Sequence, residues 1–280
     1  MSFPEALQQQ EAALLADAER IETRLPGDSF LAWQRWSCGG VPLVLLHGGF
    51  GSWNHWFANI AALRDERELW TVDLPGLGNS GDIPRGAGVA DFAACLRHGL
   101  DELIGDREYQ LAGFSFGAMI GALVAADARC SRFVAIGSAG CGDLHHQVPL
   151  QPPPPPDTPW SEACRVHRAN LESLMFSSGA VIDEMAVYLH ASNLARHRFN
   201  SRALSRTGAF LEALPSVAGE LVCIWGSEDA TAGGRQRIDR RRDVIREARP
   251  AAGFHVLEGV GHWSMYETPA TLNQLLLAAG

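Results

Sequence analysis

The stretch YQLAGFSFGAMIGALVAADA, residues 109–128, contains one serine between two glycines where a strand-like run meets a helix-like run. YQLAG predicts a strand and FGAMIGALVAADA a helix, so Ser115 is expected at the tip of a strand–turn–helix. The glycine-x-serine-x-glycine pattern is weak on its own in a chain with 29 glycines. In this context, however, Gly113 and Gly117 supply the small residues that a tight turn needs, and the turn lifts the serine hydroxyl above the strand ends. The pattern therefore predicts that Ser115 is a nucleophile.

Composition sets the broad class of the protein. A chain of 280 residues with 46% apolar and 20% charged residues is typical of one large α/β domain. No apolar run approaches the roughly eighteen residues that a membrane span needs, and the N-terminus lacks the pattern of a secretion signal. Six scattered cysteines without a Cys-x-x-Cys pair favour reduced thiols over disulfides or a zinc site. We therefore expect a cytoplasmic protein with no membrane partner.

The absence of lysine and the net charge exclude several kinds of chemistry. All 23 basic residues are arginine, so a Schiff-base lysine, a pyridoxal-phosphate lysine and a Walker A loop are impossible. A net charge of -9 argues against nucleic acid. The basic run RQRIDRRRDVIREAR, residues 235–249, contains interleaved acids at helical spacing, which favours a solvated helix face. We expect a small-molecule substrate, no cofactor, no metal and no nucleic-acid partner.

The order of predicted elements indicates the fold class. Residues 5–25 predict an amphipathic helix, which places an N-terminal helical extension over residues 1–29. In residues 30–140 and 215–280, short apolar strands alternate with helices, the pattern of a mostly parallel sheet covered on both faces. Between residues 141 and 214 this alternation stops, and helix-like segments follow the run QPPPPPDTP. We interpret residues 141–214 as a helical cap inserted above the strand ends.

Two further polar residues follow later predicted strands. Asp229 comes after LVCIWGSE, and His262 lies in the glycine-rich loop after FHVLEGVG. The carboxyl ends of strands in an open α/β sheet gather its functional groups. A nucleophilic serine needs a base, and the base needs a carboxylate that orients it. We therefore predict a catalytic triad of Ser115, His262 and Asp229.

Five motifs together resemble the α/β-hydrolase-fold serine hydrolases over about residues 30–280. They are LLHGGFGSW (45–53), DLPGLGNS (73–80), GFSFG (113–117), GSEDA (226–230) and GHWSMYETP (261–269). The resemblance implies a mostly parallel eight-stranded sheet with helices on both faces and a helical cap after the sixth strand. It also implies the chain order serine, acid, histidine that is found here, with structural roles for His47 and Asp73.

The same resemblance implies an oxyanion hole. Its donors would be the backbone N–H of Phe116 and one in the loop after the third strand, from Gly49 or from Phe50. It also leaves two rival positions for the acid: Glu228, adjacent in sequence, and Asp143, past the sixth strand. Asp229 is the preferred assignment.

Within the family, Ser115 excludes the branches that use an aspartate nucleophile, the epoxide hydrolases and haloalkane dehalogenases. Carbon–carbon hydrolases of 2-hydroxy-6-oxo-dienoate ring-cleavage products share HGG and GHW, but they usually carry Asn before and Met after the serine. Here those positions are Phe114 and Phe116. We therefore expect hydrolysis of a carboxylic ester through an acyl-serine intermediate. The carbon–carbon hydrolase is the alternative, and a non-catalytic binding protein on the same fold is a third hypothesis.

Apolar residues near the motifs and in the cap indicate the substrate. A pocket between them predicts a small to medium, largely uncharged acyl or aromatic substrate. Arg196 and Arg198 in the cap are the candidate partners for a substrate carboxylate. The oligomeric state stays open, because the N-terminal helix can pack on its own domain or on a neighbour in a homo-oligomer. The residues expected to contact the substrate are Phe50, Phe114, Trp263, Met175 and Tyr188.

Overall fold

The computed structural model describes residues 3–155 and 157–278. The first two residues of the predicted 1–29 extension and the last two of the predicted 215–280 segment lie outside these ranges. The strands are β1 Glu19–Leu25, β2 Ser29–Trp36, β3 Leu43–Leu46, β4 Leu69–Val72, β5 Tyr109–Phe114, β6 Cys130–Ile136, β7 Glu220–Gly226 and β8 Gly253–Leu257. The helices are α1 Glu5–Leu14, α2 Phe57–Leu63, α3 Val89–Leu103, α4 Phe116–Val124, α5 Trp160–Leu174, α6 Glu184–Arg196, α7 Arg202–Ser205, α8 Ala209–Ala213, α9 Arg235–Ala248, α10 Ser264–Glu267 and α11 Pro269–Leu277.

One eight-stranded sheet organises the chain, in the order β1-β2-β4-β3-β5-β6-β7-β8. Strands β3 to β8 pair in parallel, and β2 joins β1 and β4 antiparallel. All four residues of β3 are buried, because helices cover both faces of a parallel sheet. Val44 and Leu46 pack in the apolar cluster on one face, and Leu43 and Leu45 pack in the cluster on the other. The α/β-hydrolase fold predicted from the sequence is confirmed.

The N-terminal prediction is wrong in part. Helix α1 ends at Leu14, and residues 19–25 form β1, antiparallel to β2 with register from Glu19↔Arg35 to Leu25↔Ser29. Burial in β1 alternates, since Thr23 and Leu25 are buried and the residue between them is exposed. The predicted helix over residues 5–25 is therefore a short helix followed by the edge strand of the sheet.

The chain between β6 and β7 contains α5 to α8, and α5 packs against α6. The helix-like segments predicted within residues 141–214 are thus present, and the proline run before α5 forms neither helix nor strand where it is described. Among the described residues, no helix combines the length and the apolar composition that crossing a bilayer would need.

Candidate active site

Ser115 lies at the sharp turn between β5 and α4, as the sequence predicts. Its backbone has φ 52° and ψ −112°, a conformation that is costly for any residue other than glycine. The flanking glycines make the turn possible. A Cβ on Gly113 would lie 2.6 Å from the Cα of Ala118, and one on Gly117 would collide with the carbonyl oxygen of His47. Ser115 lines a cavity of about 310 Å³ at the carboxyl ends of the strands.

Asp229 and His262 form a buried pair beside this cavity. His262 Nδ1 lies 2.8 Å from Asp229 Oδ2, and His262 lines the cavity together with Ser115. The other carboxylate oxygen accepts hydrogen bonds from Thr231 N at 2.8 Å and from Thr231 Oγ1 at 2.7 Å. Burial raises the pKa of Asp229, but the charge and hydrogen bond of His262 and the bond from Thr231 outweigh it, so this pKa lies below its usual value. The ionised carboxylate keeps the imidazole proton on Nδ1 and leaves Nε2 as an acceptor.

Sequence reasoning missed two residues that position this pair. Thr231 holds the carboxylate, and Gly137 makes room for it directly after β6. A Cβ on Gly137 would lie 3.0 Å from His262 Nδ1 and 3.2 Å from Asp229 Oδ2, and its φ of 52° also favours glycine. The signal for Gly137 was a glycine at the end of the strand-like run RFVAIG. The rival acids Glu228 and Asp143 are exposed, whereas the imidazole is bonded to Asp229.

The loop after β3 brings Gly49 next to the start of α4. A Cβ on Gly49 would lie 3.6 Å from the Cβ of Phe116, so the two proposed oxyanion donors belong to adjacent backbone segments. The Phe116 N–H is in the first turn of α4, where backbone donors have no partner within the helix. Phe116 has its side chain buried and lies outside the cavity lining, while Gly49 and Phe50 are part of it.

Two buried polar residues fix this loop. His47 accepts a hydrogen bond from Leu74 N at 2.8 Å and bonds the Gly48 carbonyl oxygen at 2.7 Å, and burial lowers its pKa to about 4. Asp73 accepts from Trp53 N at 2.6 Å and from the loop that follows it, and burial raises its pKa to about 6. Both side chains are occupied by backbone partners, which suits structural roles.

The cavity lining is mixed rather than apolar. Three of the predicted substrate contacts, Phe50, Phe114 and Met175, line it. Trp263 does not: it is fully buried and donates to the His55 carbonyl oxygen at 2.8 Å. Tyr188 also lies elsewhere, with its hydroxyl on Glu11. The remaining lining residues are Gly49, Ser115, Ala139, His145, His146, Gln147, Val148, Pro149, Leu150, Leu174, Ser201, Arg202, Ser205, Arg206, Thr231 and His262.

The two arginines that were predicted to bind a substrate carboxylate, Arg196 and Arg198, do not line the cavity. Arg196 bonds the Ser192 carbonyl oxygen at 3.3 Å, and Arg198 pairs with Asp82 at 2.6 Å, both outside the lining. Arg202 and Arg206 line the cavity instead. The side chains that line the cavity are therefore apolar on the side of Phe114 and Met175 and charged at these two arginines.

Comparison with known proteins places this arrangement in a family. Residues 43–275, which include the turn at Ser115 and the Asp229–His262 pair, match the alpha/beta hydrolase family. The chain belongs to this family. An alpha/beta hydrolase sheet accounts for the parallel strands, and the family assignment supports a hydrolase.

Proteins similar to this alpha/beta hydrolase carry the names of several different enzymes. It is 28% identical over 261 residues to the dihydrolipoyllysine-residue acetyltransferase component of the acetoin cleaving system of Pseudomonas putida, a match that covers 86% of this chain and 63% of that protein. The chain thus spans less than two thirds of that relative. It is 24% identical over 264 residues to the 2-hydroxy-6-oxononadienedioate/2-hydroxy-6-oxononatrienedioate hydrolase of Paraburkholderia phymatum, covering 85% and 86% of the two chains.

A carboxylesterase of Bacillus subtilis is similar in both sequence and structure. The sequences are 38% identical over 101 residues, which are 35% of this chain and 33% of the esterase. Its crystal structure matches with a TM-score of 0.71 at 21% identity, covering 98% of this chain and 95% of the esterase. At this identity the structural match shows the shared fold.

Proposed function

We propose that this protein is a serine hydrolase that cleaves small to medium carboxylic esters through an acyl-serine intermediate. The observation that carries the proposal is that Ser115 and the aspartate-bonded His262 line one cavity. Of the three non-glycine residues with positive φ in the described chain, two, Phe50 and Ser115, also line it. Such backbone strain gathers at functional sites. A protein that only binds a ligand has no need for this set of groups.

The groups act in a defined order in this mechanism. Ser115 Oγ attacks the ester carbonyl carbon and gives its proton to His262 Nε2, while Asp229 stabilises the imidazolium. The bond from carbon to the alcohol oxygen breaks, and the alcohol leaves with the proton from His262. Water then gives a proton to His262 and attacks the acyl carbon. The bond between that carbon and Ser115 Oγ breaks, Oγ takes the proton back from His262, and the carboxylic acid is released. The negative oxygen formed in each step accepts from the N–H groups of Gly49 and Phe116, each worth about 3 to 4 kcal/mol of barrier.

The cavity limits the size of the substrate. Its volume of about 310 Å³ is at the lower end of ligand pockets, which run from about 300 to 1,000 Å³. Phe114, Leu174 and Met175 supply an apolar wall against which a short acyl chain or an aromatic ring can pack. A short acyl group therefore fits within this volume.

A carbon–carbon hydrolase of dienoate ring-cleavage products is the second candidate. It is favoured by the similarity to the Paraburkholderia phymatum hydrolase and by the arginines in the cavity. Against it, Phe114 and Phe116 flank the serine where such enzymes usually carry Asn and Met. Side-by-side assays with short p-nitrophenyl esters and a 2-hydroxy-6-oxo-dienoate separate the two. Efficient dienoate cleavage with negligible ester hydrolysis would replace the esterase proposal.

A fluorophosphonate probe tests the nucleophile directly. Ser115→Ala should remove both labelling and p-nitrophenyl butyrate turnover while the melting temperature changes little, because the hydroxyl has no structural hydrogen bond among the described residues. Ser138→Ala is the matched control, since Ser138 follows the neighbouring strand β6 by two residues and its hydroxyl donates to the Ala139 carbonyl oxygen at 2.8 Å. Mass spectrometry should place the label on Ser115. Full activity of Ser115→Ala would overturn the proposal.

A further inference from the structure

The cavity carries uncompensated positive charge. This charge comes from Arg202 and Arg206, and no aspartate or glutamate belongs to the cavity lining in the described part of the chain. The whole chain, in contrast, has a net charge of -9. Anions are therefore repelled by the protein as a whole and attracted at this cavity.

Each of the two guanidinium groups contacts a neutral side chain. The Arg202 Cζ lies 5.4 Å above the ring centre of Phe50. Arg206 faces Gln147, whose amide oxygen, in the orientation that satisfies it, lies 2.7 to 2.8 Å from the guanidinium nitrogens. Neither arginine pairs with a carboxylate within residues 3–155 and 157–278, whereas Arg198 on the preceding segment pairs with Asp82 at 2.6 Å. Both residues are exposed, so a carboxylate can reach Arg202 directly and can take the place of the neutral Gln147 amide oxygen at Arg206.

The backbone fixes these arginines over the site. They are four residues apart at the single-turn helix α7, a spacing that puts both on one face. Ser205 N donates to the Ser201 carbonyl oxygen at 2.9 Å within this turn. Gly140 N, from the loop after β6, donates to the Ser205 carbonyl oxygen at 2.9 Å. The turn is thus bonded to the same sheet edge that presents Ser115.

We propose that the substrate of this site carries a free carboxylate in addition to the ester, and that Arg202 and Arg206 bind it. A planar guanidinium matches a carboxylate with two parallel hydrogen bonds, and two such groups on one face can share the anion. The apolar wall of Phe114, Leu174 and Met175 then holds the carbon chain between the carboxylate and the ester. The substrate class is the monoester of a short dicarboxylic acid. This inference rests on the proposed function.

Monoethyl glutarate and ethyl pentanoate provide a matched pair, because they share the acyl length and differ in the carboxylate. The wild type should have the higher kcat/KM for monoethyl glutarate, measured by proton release. Arg202→Gln and Arg206→Gln should each lower the ratio of kcat/KM for monoethyl glutarate to kcat/KM for ethyl pentanoate about 3- to 10-fold, mainly by raising KM for monoethyl glutarate. The preference should also weaken as salt is added. Arg198→Gln is the control and should behave as the wild type.

The outcomes separate the two proposals. If ethyl pentanoate is hydrolysed but the double variant Arg202→Gln, Arg206→Gln keeps the wild-type ratio of the two substrates, the carboxylate inference is wrong and the esterase proposal stands. A wild-type preference for ethyl pentanoate has the same meaning. If neither ester is cleaved and Ser115 is not labelled by a fluorophosphonate, the proposed function fails and the inference fails with it. Thermal unfolding of each variant checks that it is folded.

Discussion

Replacing Asp229 by asparagine tests the role of the carboxylate through the tautomer of His262. Asp229 Oδ1 accepts from Thr231 N at 2.8 Å, from Thr231 Oγ1 at 2.7 Å and from Ala232 N at 3.3 Å. Since an amide NH₂ cannot accept from these donors, the oxygen of Asn must stay on this side. Its NH₂ group then takes the place of Oδ2, 2.8 Å from His262 Nδ1, and donates to it. The imidazole proton is forced onto Nε2, which can no longer accept from Ser115.

The expected cost is about 10⁴ in kcat, or roughly 5.4 kcal/mol of barrier at 1.36 kcal/mol per tenfold. KM for a neutral ester should change little, because Asp229 lies behind the imidazole and outside the cavity lining. The melting temperature should also change little, because the bonds from Thr231 are kept. The assay is steady-state hydrolysis of p-nitrophenyl butyrate, together with the rate of fluorophosphonate labelling.

Matched amide variants at the two rival acids complete this test. Glu228→Gln and Asp143→Asn remove exposed carboxylates and should retain wild-type kcat. A loss of less than tenfold in Asp229→Asn, or a larger loss in either control, would refute the assignment of the acid.

Three further predictions follow from contacts around the site. Gly49→Ala places a methyl group against the Ser201 hydroxyl and should lower the kcat of ester turnover at least tenfold. Adding Ser201→Gly to this variant should restore part of the lost kcat, and no restoration would mean that the contact with Ser201 is not the cause. Glu11→Ala leaves Asn54 Nδ2 and the Tyr188 hydroxyl without their shared partner and should cost about 2 kcal/mol, seen as a melting temperature several degrees lower, while Glu5→Ala on the same helix should have no such effect. Burial lowers the pKa of His47 to about 4, so the stability that its neutral form contributes should be lost as the pH falls from 6.5 towards 4. Urea unfolding measures this loss, and a His47 ring signal in NMR that titrates near pH 6.5 would contradict it.

The parts of the site that the sequence predicted are those that follow strand ends. Parallel strands bring their carboxyl ends to one edge, so a serine after β5, an aspartate after β7 and a histidine after β8 must come close together once the elements are assigned. The secondary structure of the N-terminus was harder to predict, because Ile21 and Leu25 fit helical spacing as well as alternation along a strand. What decides for the strand is its pairing with β2, a contact that no local pattern records.

The substrate contacts could not be predicted from the sequence in the same way, because the direction of a side chain depends on how it packs. Trp263 follows His262 directly, yet its ring is fully buried outside the cavity while the imidazole lines it. Between β6 and β7, Arg198 and Arg202 are four residues apart in the sequence, about the length of one helical turn. Arg198 pairs with Asp82 and Arg202 lines the cavity, a difference set by where α7 begins.

The segments that follow β6 and β7 contribute differently to the candidate site. Gly137, the first residue past β6, has no side chain and leaves its space to the Asp229–His262 pair. Three residues later, Gly140 N donates to the Ser205 carbonyl oxygen and holds the turn that carries Arg202 and Arg206. The segment after β7 therefore supplies the carboxylate that bonds His262, while the segment after β6 leaves room for this pair and bonds the turn that carries the arginines. Substitutions that shift the segment after β6 should change the proposed chemistry and the proposed carboxylate recognition together, whereas substitutions of the arginines should change recognition alone.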